Sequence, residues 1–143
     1  MQLVMAALAT CEDSKALRYA KDVGLASRLD EQVSGYSLGT KQKLAIALSL
    51  LGSPELILMD ESLNGLDLPS VGRTLRFLRQ CATADGQSIL LVTHNVDLAQ
   101  AYVQRAWLLE DGVLSRQWEP EELARMRDAG TLLSHELLAR IGI

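Results

Sequence analysis

Two carboxylates, Asp60 and Glu61, close a dry apolar run, Leu56-Ile57-Leu58-Met59. Side by side at the end of a buried segment they repel each other and lose hydration, so a positive charge should compensate. A Mg²⁺ held by Asp60, with Glu61 polarising a water, meets that need. The plainer alternative is that both cap the following loop and face solvent. His94 follows a second apolar run, Ile89-Leu90-Leu91-Val92, and Thr93. At a strand end such a histidine either touches a charged ligand or is a hydrogen-bonded structural group. The third feature is Ser34-Gly35-Tyr36-Ser37-Leu38-Gly39, a glycine-bearing loop that runs into a helical stretch at Thr40. Backbone N–H groups at such a helix start hold phosphates, helped by the helix dipole. They also form ordinary capped turns.

These residues need elements to position them. Leu44, Ala47, Leu48 and Leu51 recur at i, i+3, i+4 and i+7, which predicts an amphipathic helix over residues 40–51, ended by Gly52-Ser53-Pro54. The apolar runs 56–59 and 89–92 are short and bounded by turn residues, as in strands buried on both faces. Between them, Pro69 and Ser70 open a helix whose apolar side is Val71, Leu75, Leu78 and Ala82. Upstream, residues 15–23 predict a helix capped by Ser14 and ended at Gly24. After His94 a helix to about Tyr102 is expected, then a strand at 106–109 and an Asp111-Gly112 turn into Val113-Leu114, which reads as a hairpin. The tail from Pro120 predicts two short helices broken at Gly130. Trp107 and Trp118 are expected to be packing anchors, and Arg73, Arg76 and Arg79 a solvated helix face. Strands alternating with helices predict an α/β fold with a mainly parallel sheet. In such sheets ligands gather at the carboxyl ends of the strands, where Asp60, Glu61 and His94 fall.

A net charge of −4 over 143 residues argues against broad binding to nucleic acid or anionic lipid, so no nucleic-acid partner is expected. No apolar run approaches the roughly 18 residues needed to cross a bilayer. The first residues, through Cys11, lack the positive charge of a signal peptide. Cys11 and Cys81 are far apart without CxxC spacing, which predicts free thiols in a reducing, cytoplasmic setting.

Taken in order, Tyr36-Ser37-Leu38-Gly39-Thr40-Lys41-Gln42-Lys43-Leu44 resembles the signature motif of ABC-type ATPases, with Tyr-Ser-Leu-Gly in place of Leu-Ser-Gly-Gly. Leu56-Ile57-Leu58-Met59-Asp60-Glu61 resembles the family's Walker B strand, Asn64-Gly65-Leu66-Asp67 its D-loop and Thr93-His94 its switch histidine. The resemblance covers roughly residues 1–115, and within the family it looks closest to the ATPase subunits of bacterial exporters. It implies the second half of a RecA-like P-loop NTPase core, with parallel strands and a C-terminal hairpin, plus part of the ABC helical subdomain. The expected organisation is a helical subdomain with the signature over 1–53, the Walker B, D-loop and switch-histidine region over 54–118, and C-terminal helices over 119–143.

The same resemblance implies roles. Asp60 would hold Mg²⁺ through water, Glu61 would polarise the attacking water, and His94 would contact the γ-phosphate of ATP. Ser37 and Gly39, with Leu38 and Thr40 beside them, would face the γ-phosphate of ATP bound on a second ATPase subunit, because the family works as a head-to-tail nucleotide sandwich. Asp67 would lie at the dimer seam. The implied partners are that second subunit and transmembrane transporter subunits, which would place the chain on the cytoplasmic face of the cell membrane. Leu38 replaces the first glycine of the common signature, Thr40 its glutamine, and Ser62 a proline that often follows the Walker B glutamate.

No Gly-x-x-x-x-Gly-Lys-Ser/Thr occurs in the 143 residues. The Walker A loop would therefore precede residue 1, and the chain is expected to be the second half of an ABC ATPase domain, either a fragment or a split subunit. Without that loop's N–H cradle and lysine most of the β- and γ-phosphate site is missing. Alone, the chain is expected to bind ATP poorly and hydrolyse it negligibly, and a separate Walker A-bearing half becomes an expected partner. Loss of the P-loop strand would also leave apolar strand edges open. One alternative is a non-catalytic partner donating only the signature face, for which Asp60, Glu61 and His94 would be superfluous. Another is an SMC-like chromosome protein, which should show long heptads where residues 1–35 instead break at Gly24 and Gly35.

Overall fold

The computed structural model describes residues 13–140, so Cys11 and the signal-like start lie outside the described residues. The chain divides into two compact units between Thr93 and His94.

In the first unit, helix α1 (Asp13–Asp22) buries Ala16, Tyr19 and Ala20, and Val23, sealed just past its end, completes an i, i+3, i+4, i+7 stripe. Ser14 falls inside this helix rather than before it. Helix α2 (Leu38–Ser49) buries Leu44, Ile46 and Ala47, with Leu50 sealed just beyond its end. Strand β1 (Leu56–Asp60), helix α3 (Leu68–Ala84) and strand β2 (Ser88–Val92) form a β-α-β unit, its strands parallel and in register from Leu56↔Ser88 to Asp60↔Val92. Helix α3 faces inward with Val71, Leu75, Phe77, Leu78 and Cys81, and the Phe77 ring meets Tyr19 edge-on at 5.1 Å. Arg73, Arg76 and Arg79 are exposed, as a solvated face should be.

The strands depart from expectation in one respect. Ile57 and Met59 are buried, but Leu56, Leu58, Leu90 and Val92 are exposed. Burial on both faces needs a covering layer on each side of a parallel sheet. Among the described residues only one face has it.

The second unit opens with the short helix α4 (Val96–Gln100). Strands β3 (Ala106–Glu110) and β4 (Val113–Trp118) pair antiparallel around Asp111-Gly112, both at positive φ (49° and 78°), the pattern of a tight hairpin turn. Helices α5 (Pro120–Asp128) and α6 (Leu133–Arg140) follow, separated at Gly130, whose φ is 67°. Trp118, Leu123, Met126 and Leu133 make the core of this unit, and the Trp118 indole N–H donates to Glu136 at 2.8 Å. Trp107 is half-exposed, so the packing-anchor expectation fails there; it lies on the uncovered hairpin face with Leu109 and Leu114. No described helix is long and apolar enough to cross a membrane.

Candidate functional site

The signature turn is built on capping. Ser37 sits in extended backbone before α2, and its Oγ accepts from the Thr40 N–H at 3.2 Å and lies 2.8 Å from Thr40 Oγ1. Tyr36 anchors the approach: its ring is buried and its hydroxyl donates to the Arg28 carbonyl. Ser37 and Leu38 remain exposed, with Gly39 and Thr40 half-buried.

Gly39 is required by a neighbour. A Cβ there would stand 2.7 Å from the carbonyl oxygen of Gly65. The turn therefore rests directly on the loop that follows β1. That loop is folded on itself, with Asn64 N donating to the Glu61 carbonyl at 3.0 Å and Leu66 N to the Leu63 carbonyl at 3.3 Å. Leu63 is buried and pins it. At its far end Asp67 caps α3, where Oδ1 accepts from the Ser70 N–H at 2.8 Å. The Ser70 hydroxyl and then this N–H hold the Asp67 carboxyl below the usual range, with smaller help from Lys43 and Arg73.

At the carboxyl end of β1, Asp60 is exposed and Ser62 Oγ donates to its carbonyl at 3.3 Å. Glu61 continues the ladder through N–H donation to the Val92 carbonyl at 3.0 Å, but its φ is +46°. A non-glycine residue in that region carries strain of about 1–3 kcal/mol, which recurs where a side chain must be aimed. One carboxylate oxygen of Glu61, Oε2, is shielded from solvent. No group of three or more metal-ligating side chains occurs among the described residues. Asp60 and Glu61 are nevertheless hard oxygen donors, and Mg²⁺ commonly takes one or two carboxylates and completes its shell with water and phosphate oxygens. The donor set fits such a site and no all-protein cage. His94 is the first residue of the second unit and is exposed.

The structure thus brings the signature residues Ser37–Thr40 onto the loop bearing Gly65 and Asp67, and sets Asp60 and Glu61 at the end of the β1–β2 pair. From sequence, Gly65 figures only within the D-loop resemblance and Ser70 only as the opening of a helix, neither with a role of its own. Ser70 had a readable signal, since Asp-x-x-Ser ahead of an apolar run is a cap pattern. The Gly39–Gly65 approach had none, because the partners are joined only through the fold.

A sequence profile of the ABC transporter family matches residues 6–64. The chain is 37% identical over 126 residues to the aliphatic sulfonates import ATP-binding protein SsuB of Pseudomonas fluorescens, covering 88% of this chain and 46% of that protein. It is 35% identical over 113 residues to the octopine permease ATP-binding protein P of Rhizobium radiobacter, covering 79% of this chain and 42% of that protein. Among solved structures, the dimeric ATP-binding cassette MJ0796 bound to ADP and Pi superposes with a TM-score of 0.67 at 28% identity, over 75% of this chain and 46% of that one. A bacterial Atm1-family exporter with ATP bound shares the fold, with a TM-score of 0.69 at 22% identity over 98% of this chain and 25% of that one. The expected closeness to exporters is corrected by these relatives: the curated proteins at 37% and 35% identity are named for import and permease systems, while the exporter shares the fold alone. The chain spans about half the length of the curated relatives it matches, and within that span it belongs to the ATP-binding family of ABC transporters.

Proposed function

We propose that these residues supply the signature, Walker B, D-loop and switch-histidine portion of an ATP-binding subunit that energises an ABC transporter of the import class. The observation that carries this reading is the seating of the signature turn on the D-loop at Gly39 and Gly65, which gathers two motifs distant in sequence onto one surface. On this reading the signature-bearing part ends at residue 53, the Walker B to hairpin part runs over 54–118, and the C-terminal part begins at residue 119.

Mg²⁺, when bound with ATP, neutralises charge on the β- and γ-phosphates. Asp60 holds its hydration shell from the end of β1. Glu61, aimed by its unusual backbone, accepts a hydrogen bond from the attacking water. His94 contacts the γ-phosphate. Ser37, Leu38, Gly39 and Thr40 present their turn to the γ-phosphate of ATP held by a second ATPase subunit, and Asp67 stands at the seam between the two.

The phosphate-cradling loop and lysine come from a Walker A-bearing half outside these 143 residues. The exposed apolar face of Leu56, Leu58, Leu90 and Val92 supports that reading, since it is the side of the sheet that awaits a covering layer. In this arrangement the subunit works at the cytoplasmic face of the membrane against transmembrane subunits, which select the solute. A donor of the signature face alone would have no use for Glu61.

Calorimetry of Mg-ATP tests this, with the purified chain alone and mixed with the N-terminal half of a sulfonate-import relative. Binding should appear only in the mixture. Glu61→Gln should leave that binding intact and lower turnover by about 10²–10⁴-fold. Absence of binding in both cases would overturn the proposal. Turnover by the chain alone would overturn the requirement for a second half.

A further inference from the structure

We infer that Leu38 is a positioning residue which fastens the loop after β1 to the start of α2, so that the two present one rigid face. Leu38 is 69% exposed, so burial of its side chain explains little of its presence. Its contact is specific nonetheless. A Cβ placed on Gly65 would lie 3.0 Å from Leu38 Cδ2 and 3.2 Å from its Cγ, so the leucine side chain stands over the Gly65 backbone. The carbonyl of the same Gly65 lies against Gly39 at a distance that excludes any side chain. Gly65 is therefore held at two points by consecutive residues of the first turn of α2.

Each point makes its own demand, a glycine at 65 and a long apolar side chain at 38. Gly65 adopts φ +79°, which glycine alone enters without strain, and a larger residue would also press on Leu38. A glycine at position 38, as in the common signature, would have nothing to lay over Gly65. The fastened loop begins at Glu61 and ends at Asp67, so a shift at Gly65 reaches both the aimed carboxylate and the cap of α3. This inference concerns the ligand-free chain and goes beyond the proposed function, whose failure would leave it standing.

Amide hydrogen exchange on the full chain, without nucleotide, is the test. The N–H groups of Asn64 and Leu66, which close the loop on itself, are the reporters. Leu38→Ala should speed their exchange by roughly 3- to 10-fold while leaving Leu75 and Leu78 in the middle of α3 unchanged. Leu38→Met, which keeps a long apolar side chain, should restore protection. Gly65→Ala should also loosen the loop, and by a smaller factor in the Leu38→Ala background, where the steric part of its penalty is gone. Unchanged exchange at Asn64 and Leu66 in Leu38→Ala would overturn the inference. So would an equal rise at Leu75 and Leu78, which would mark a merely structural residue.

Discussion

Asp67 Oδ1 accepts the Ser70 N–H at 2.8 Å, so the acidic residue that ends the loop after β1 serves as the N-cap of the long helix α3. A helix start leaves several N–H groups without internal partners, and this carboxylate satisfies one of them. The Ser70 hydroxyl and N–H hold the Asp67 carboxyl low. The folded-state pKa thus lies below the unfolded one. The capping contribution is complete above the unfolded carboxyl value of about 3.9 and is lost as the pH falls through the folded value. Asp67→Ala should lower the urea midpoint at pH 7, and the gap from wild type should narrow in acid. Asp67→Asn, also a good cap, should retain most of the neutral midpoint and show less acid sensitivity. Equal midpoints for wild type and Asp67→Ala at pH 7 would refute the capping role.

At Gly39 the usual preference inverts. Alanine in a helix is favoured over glycine by roughly 0.5–1 kcal/mol. Here its methyl group would stand 2.7 Å from a backbone oxygen that cannot rotate aside. Gly39→Ala should therefore destabilise the chain by about 1–3 kcal/mol in urea denaturation. Gly35, where a Cβ meets nothing within 4 Å, is the control; Gly35→Ala should stay within about 0.5 kcal/mol of wild type. Stabilisation by Gly39→Ala would show that the loop gives way.

The contrast between these glycines shows what the sequence could and could not convey. The helix starting near Thr40, the strands closing at Asp60 and ahead of Thr93, the Asp111-Gly112 hairpin and the break at Gly130 all follow from local signals: apolar period, turn residues and caps. Those signals act over a few residues, and the structure reproduces them with most ends within two positions, whereas β4 runs on to Trp118, well past the expected Val113-Leu114. The placement of Asp60 and Glu61 at a strand end was legible for the same reason. The seating of Gly39 on Gly65 was not, because it depends on how α2 and the loop after β1 meet in space. Nor was the difference between Trp118, sealed in a core, and Trp107, half-exposed on the hairpin. Both sit in the strands of one hairpin, and what covers them in space distinguishes them. The one-sided burial of β1 is not legible either, because an apolar run records what a strand is suited to bury, not what lies over it.

That uncovered face gives the next prediction. Leu58 lies opposite Leu90 across the parallel pair, flanked by Leu56 and Val92, and all are exposed. An apolar patch on a sheet face promotes association in water. Leu58→Lys should reduce self-association in light scattering and leave stability within about 0.5 kcal/mol, since the side chain packs on little. Ile57→Lys, one residue away but 4% exposed, should unfold the chain. Unaltered association by Leu58→Lys would place the sticky surface elsewhere.

In the second unit the Gln100 amide ties the short helix α4 to the C-terminal helices, beside the Asp97 carboxylate, which accepts from the Ser134 N–H at 2.9 Å and from its hydroxyl at 2.6 Å. Gln100 is 3% exposed; its Nε2 donates to the Thr131 carbonyl at 2.9 Å and its Oε1 accepts from the Leu133 N–H at 2.9 Å. The carbonyl of Gln100 itself accepts from Arg127 at 3.0 Å. These bonds link residues about thirty apart in sequence, across the break at Gly130. Gln100→Leu preserves volume but strands a carbonyl and an N–H, at a cost of about 1–3 kcal/mol each where water cannot reach them. Both tryptophans belong to this unit, so their emission reports its unfolding without interference from the first. The urea midpoint read by tryptophan emission should fall in Gln100→Leu, and by less in Gln100→Glu, which keeps an acceptor for Leu133. A midpoint equal to wild type in Gln100→Leu would mean that the Asp97–Ser134 bonds and the apolar contacts of Leu123, Met126 and Leu133 hold the tail helices in place without the amide.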